Sequence, residues 1–168
     1  MNMIQKAKEQ VQELTKQAYA AAVKENLLPE GVAVEPSVEI PKDVSNGDYT
    51  TTFCLAAAKA MKMNPRQVAT ILTQHMALEG SYFTSVEIAG PGFMNFRLGD
   101  KWFGDTVTAI EAAGADYGCS DMLKGRKIMV EFVSANPTGP MHMGNARGGV
   151  LGDTLASVLQ KSGADVWR

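Results

Sequence analysis

The sequence predicts two small units in series, an α+β unit and then the opening β-α-β of an α/β sheet. Three observations carry that division. A length of 168 residues suits one full core or two small ones, since domains commonly hold about 100 to 150 residues. An aperiodic stretch that mixes Gly, Asp, Ser and Tyr runs from Gly114 to Gly125 and breaks the pattern as a connection does. The patterning also changes across it. Before it lie amphipathic helical repeats and alternating strands, and after it an almost unbroken apolar run, a glycine-rich loop and a second helical repeat. The expected organisation is therefore 1–113, a linker over 114–126, and 127–168.

In the first unit, Ile4, Ala7, Val11, Leu14, Ala18 and Ala21 recur at steps of three and four. They describe one apolar stripe of a long helix that ends before Pro29 and packs on its own domain. Residues 29–49 carry Pro29, Gly31, Pro36, Pro41 and the Asn46-Gly47 pair, leaving room only for a short strand between Val32 and Ile40. A helix is expected over Thr51 to Met61. Asn64-Pro65 supplies a capping side chain and then a proline whose missing N–H costs nothing at the first helical position, so another helix should run to Ala77. His75, near the end of that helix, has no second metal-binding residue at suitable spacing and reads as structural.

The stretch YFTSVEIAGPGFMNFRL reads as strands over Tyr82 to Ile88 and Phe93 to Leu98, joined across Ala89-Gly90-Pro91-Gly92. Alternation turns Met94, Phe96 and Leu98 toward the helices and Phe93, Asn95 and Arg97 to the opposite face. An aromatic ring, an amide and a guanidinium in one row suit a base to stack, an edge to read and a phosphate to neutralise. On the pattern alone, a solvated sheet face with one exposed phenylalanine is the preferred reading of the row. Asp100 is placed as the N-cap of a helix through Trp102, Val107 and Ile110 that stops at Gly114.

Composition narrows the class. The 16 basic and 18 acidic residues give a net charge of −2 and are mixed along the chain, so any nucleic-acid contact has to be local. No apolar segment is long enough to span a bilayer, and the start, MNMIQKAKEQVQEL, lacks the apolar run of a secretory signal. Cys54 and Cys119 are too far apart for a CxxC motif, and reduced thiols in the cytoplasm are expected.

In the second unit KIMVEFV, residues 127 to 133, reads as a strand buried on both faces. The loop SANPTGP follows, and Val150, Leu151, Leu155, Val158 and Leu159 then mark a helix from Gly144 that stops at Gly163, before a further strand from Ala164. A strand-to-helix switch of this kind exposes backbone N–H groups and a positive dipole end to phosphate. His142 and Asn145, three apart, project from one side of the first turn and both can donate hydrogen bonds. Gly144 between them leaves flat backbone on which an adenine ring could lie, and Pro137 and Pro140 stiffen the approach. A histidine that merely caps the helix is the competing reading.

VEFVSANPTGPMHMGNARGGVLGD resembles the signature region of arginyl-tRNA synthetases, class I enzymes whose HIGH motif would be His142-Met143-Gly144-Asn145. IPKDVSNGDYTTTFCLAAAKAMKMNPRQVA and VEIAGPGFMNFRL resemble the N-terminal domain of the same family. The resemblance implies a Rossmann-like class I catalytic domain and ATP-dependent activation of arginine followed by transfer to tRNA. His142, Gly144 and Asn145 would bind ATP, with His142 and Asn145 catalytic. Ser134 and Asn136 would bind arginine, within a HIGH region comprising Ala135, Asn136, Pro137, Thr138, Gly139, Pro140, Met141, His142, Met143, Gly144 and Asn145. Phe93, Asn95 and Arg97 would meet the D-loop of tRNA-Arg, which favours the base-reading face over the solvated one. ATP would come with Mg2+ as substrate, no metal would be held by the protein, no membrane would be involved, and the full-length enzyme would be a monomer in the cytoplasm.

Asn145 departs from the second histidine of the motif, removing one possible cation. The resemblance ends before the rest of the sheet, the arginine side-chain pocket, the KMSKS loop and the anticodon domain, so the chain reads as an N-terminal fragment without aminoacylation activity of its own. Its open half-sheet invites pairing with a second copy. A stand-alone tRNA-binding module and a small nucleotidyltransferase with an HxGH-like site remain as alternatives.

Overall fold

The computed structural model describes residues 2–136 and 138–168. Contacts divide the chain into two units, 2–112 and 113–168.

The first unit opens with α1 (Met3–Lys24). Asn2 caps it, its side-chain oxygen accepting from the backbone N–H groups of Ile4 and Gln5 at 3.1 Å, which satisfies two donors that the first turn leaves free. The buried stripe is Met3, Ala7, Val11, Leu14, Thr15, Ala18 and Ala22. It is rotated slightly from the expected one. Ile4 lies half in solvent and Ala22 replaces Ala21 at the far end, because the stripe begins at Met3. Thr15 is tolerated inside because its hydroxyl donates to the Val11 carbonyl at 2.8 Å.

Strand β1 (Val38–Glu39) is shorter than the 32–40 expectation. Strand β2 (Tyr49–Thr51) was hidden in what the sequence suggests is the start of a helix. Helix α2 therefore begins at Phe53 and runs to Met61, with the Thr51 hydroxyl accepting from the Phe53 N–H at 3.3 Å. Helix α3 (Pro65–Gln74) is capped by Asn64 as its residues predict, but ends three positions short of Ala77 with His75 as C-cap. The hairpin of β3 (Phe83–Ala89) and β4 (Phe93–Leu98) follows. Helix α4 (Asp100–Ala113) takes Asp100 as its first helical residue rather than as its cap.

The four strands form an antiparallel sheet in the order β1-β2-β4-β3. Gly47 turns the chain into β2 at φ +87, and a Cβ there would stand 2.8 Å from the Phe96 carbonyl oxygen, so only glycine lets the turn lie against β4. Tyr49, Thr51, Met94 and Phe96 face the helices and are buried with Val11, Cys54, Val68 and Leu72. Met94 and Phe96 thus sit where alternation places them, and Leu98 is half-buried. The Cys54 thiol is pushed up to about 12 by burial.

In the second unit, β5 (Lys127–Met129) pairs in parallel with β6 (Asp165–Trp167), with α5 (Met143–Lys161) between them in sequence. Residues 114–126, expected as a linker, pack with this unit. The Ser120 N–H donates to the Lys161 carbonyl at 2.9 Å and the Leu123 N–H to that of Ser162 at 2.8 Å. Strand β5 is shorter than KIMVEFV and is not buried on both faces, Met129 being 75% exposed. With one helix and two strands, only one face of the pair has a cover. The helix also turns a different side inward from the one its spacing suggests. Val150, Leu151, Leu155 and Val158 are exposed, while Gly152 and Ala156 are buried and a Cβ on Gly152 would clash with the Phe132 ring. Gly163 ends the helix region at φ +96.

Candidate functional site

Two groups of residues have chemistry to offer, one in each unit. In the first, the sheet face away from the helices carries a cross-strand row. Glu39 of β1 lies opposite Thr50 of β2, Thr50 opposite Asn95 of β4, and Asn95 opposite Glu87 of β3. Residues directly opposite on paired strands share a face, so the row forms a polar floor. Phe93 lies one step along β4 beside Ala89, and the chain from Ile40 to Asn46 rises along the other side. Together they enclose an open cavity of about 480 Å³, large enough for a purine or pyrimidine ring. Asn95 is only 7% exposed, yet its amide takes part in none of the hydrogen bonds among the described residues, so it is free to bond to an entering group.

Arg97 shares the face but not the cavity. Its Nη2 donates to the Ser45 carbonyl at 2.7 Å and its Nε lies 3.6 Å from a Glu87 carboxylate oxygen. The guanidinium braces the turn that walls the cavity. Lys42, which the sequence reading passed over, is the cation that lines it. Its only sequence signal was position, between Pro41 and the Asn46-Gly47 turn.

In the second unit the loop after β5 leads into the first turn of α5. His142 is the N-cap, its Nδ1 accepting from the Gly144 N–H at 3.0 Å, and the Asn145 side-chain oxygen accepts from the His142 N–H at 3.0 Å. The reciprocal pair forms a capping box. An Nδ1 that accepts must be unprotonated, so the proton of the neutral ring is on Nε2. The cap thus leaves one donor on each residue, His142 Nε2–H and the Asn145 amide. Capping and anion binding, competing readings in the sequence, use different atoms of the same ring. A Cβ on Gly144 would lie 2.8 Å from His142 Cε1, so glycine here first makes room for the histidine.

Ser134 donates to Glu131 at 2.5 Å. Asn136 is exposed along with most of the loop, and Pro137 lies outside the described residues. Glu131, another residue missed in the sequence, stood out only as an acidic interruption of KIMVEFV. Val133 adopts φ +58, a conformation that a β-branched side chain rarely takes, and this redirects the chain out of the strand.

Residues 4–98 match the family described as arginyl tRNA synthetase N terminal domain, and the chain belongs to the arginyl-tRNA synthetase family. It is 47% identical over 167 residues to an arginine–tRNA ligase of Acetivibrio thermocellus, covering 99% of this chain and 30% of the relative. Identity to the arginine–tRNA ligase of Caldanaerobacter subterraneus is 46%, again over 99% of this chain and 30% of the relative. The chain therefore spans about 30% of the length of these curated relatives. In fold it is similar to the arginyl-tRNA synthetase of Plasmodium falciparum, with a TM-score of 0.54 at 12% identity over 96% of this chain and 29% of that one. Among the described residues, no helix is long and apolar enough to cross a membrane.

Proposed function

We propose that this chain is the N-terminal part of an arginine–tRNA ligase, in which the first unit reads a base of the tRNA-Arg D-loop and the second begins the Rossmann-like site for ATP and arginine. The observation that carries the reading is the cavity beside Phe93, which offers an aromatic wall and an Asn95 amide without a hydrogen-bond partner among the described residues. An unstacked base fits that pairing, since its ring face meets Phe93 and its edge meets the amide. Lys42 at the same cavity meets a neighbouring phosphate. Arg97 contributes by holding the 44–46 turn in place rather than by touching the RNA.

In the whole enzyme, the arginine carboxylate attacks the α-phosphate of ATP and pyrophosphate leaves, giving arginyl adenylate. A ribose hydroxyl of the terminal adenosine of the tRNA then takes the arginyl group and AMP leaves. Mg2+ accompanies ATP and neutralises charge on its phosphates. His142 Nε2–H and the Asn145 amide, with the positive end of α5 behind them, donate to phosphate oxygens. Gly144 is the position at which adenine packs, by resemblance to the family. Ser134 and Asn136 hold the α-amino and carboxylate groups of arginine, and Glu131 places a carboxylate where a cationic substrate needs one. The enzyme is inferred to work as a monomer in the cytoplasm.

The test is binding of the 168-residue chain to tRNA-Arg transcripts at fixed salt. Phe93→Ala/Asn95→Ala should weaken binding by about fivefold or more, stacking of one base being worth about 1–3 kcal/mol, and a D-loop base change should do the same to the unaltered protein. Equal binding in all three cases would overturn the reading.

A further inference from the structure

The floor of the Phe93 cavity contains a feature that base stacking does not explain. Thr50 Oγ1 is buried and has no hydrogen-bond partner, the one side-chain polar atom in that condition among the described residues. Burying a hydroxyl without a partner costs folding free energy, and natural structures rarely leave one so. Valine has the same shape and a higher preference for strands, so a purely structural site would favour it. Thr50 lies directly across the sheet from Asn95, whose amide is also unpaired, and the two residues line the same cavity.

We propose that Thr50 is a positioning residue that holds the Asn95 amide in place against the edge of a bound base. This inference rests on the base-reading function proposed above. A base edge in the cavity occupies Asn95 Oδ1 and the Nδ2–H that points the same way. The second Nδ2–H then points into the floor, where Thr50 Oγ1 accepts it. Turned over, the amide would present Oδ1 to the floor and the hydroxyl would donate to it, so Thr50 anchors the plane of the amide, while stacking on Phe93 fixes the edge of the base that meets it. Without the hydroxyl, the amide turns out of that plane at little cost and its hydrogen bonds to the base edge weaken. The cost of the unpartnered hydroxyl in the free protein is recovered only in the complex.

Thr50→Val and Thr50→Ser should be compared with the unaltered chain against four tRNA-Arg transcripts that differ only in the D-loop base, with thermal unfolding measured alongside. Thr50→Val is expected to melt at or above the temperature of the unaltered chain, because it removes an unpaired buried hydroxyl. It should nonetheless narrow the spread of affinities across the four transcripts by about tenfold. Thr50→Ser, which keeps the acceptor, should restore the spread. Thr50→Val retaining the full spread would overturn the inference while leaving Phe93 and Asn95 as base readers. Phe93→Ala/Asn95→Ala binding as tightly as the unaltered chain would remove the base-reading function, and this inference with it.

Discussion

His75 shows how one side chain can join two helices and make their junction sensitive to pH. Its Nδ1 faces the Ile71 carbonyl at 2.7 Å and its Nε2 faces a Glu25 carboxylate oxygen at 3.1 Å. Only the imidazolium can donate to both at once. The Ile71 carbonyl first, and Glu25 after it, therefore hold the ring above its ordinary value of 6.5. A raised value in the folded state means that the native chain binds the proton more tightly than the unfolded chain does. The stabilisation is present in full below pH 6.5 and is lost as pH rises through the raised value. Denaturant unfolding across this range should show stability declining with pH, and His75→Gln should flatten that part of the curve. The residue was legible as structural because it lacked metal-binding neighbours in sequence. Its partner, Glu25, lies 50 positions away and could not be read from local spacing.

Elements were legible in proportion to their length and to how much of their pattern came from one face. Helix α1 and the β3–β4 hairpin could be traced because several apolar residues repeat at one period, whereas β2 could not. Tyr49, Thr50 and Thr51 are too few to show alternation, and they run straight into the residues of α2. That omission also hid Thr50 from the candidate site, while Phe93 and Asn95 were visible from the alternation in β4. In α5 the helical period was correct but the inward face was not, because glycine and alanine contribute little to an apolar pattern even where they make the closest contacts. Gly148 and Gly152 test this within one helix. Gly148→Ala meets no atom within 4 Å and should stabilise the second unit by up to about 1 kcal/mol through helix propensity. Gly152→Ala would gain the same propensity but drive its methyl into Phe132, and overpacking of about 1–3 kcal/mol should outweigh it. Denaturant titration of both variants would show shifts of opposite sign.

The whole molecule divides its stability unevenly. In the first unit, three helices and a four-stranded sheet bury a continuous apolar cluster from Met3 to Phe96. Among its described apolar side chains the second unit buries only Ala156 and Ala164, and it leaves Val150, Leu151, Leu155, Val158 and Trp167 in water. Stability follows apolar burial, so α5 and the β5–β6 pair should open first. Amide hydrogen exchange read by mass spectrometry should show protection lost over residues 127–168 under conditions that leave α1 to α3 protected, and a single concerted loss would contradict this. The two cysteines report on the same asymmetry by covalent chemistry. Cys119 is exposed, whereas Cys54 is buried in the first unit and holds its proton up to about 12, which keeps it from forming the thiolate that alkylating reagents attack. At neutral pH the native chain thus behaves toward maleimides and iodoacetamide as a one-thiol protein. A dye can be attached at Cys119 without mutagenesis, and the second thiol becomes countable only in molecules whose larger core has come apart.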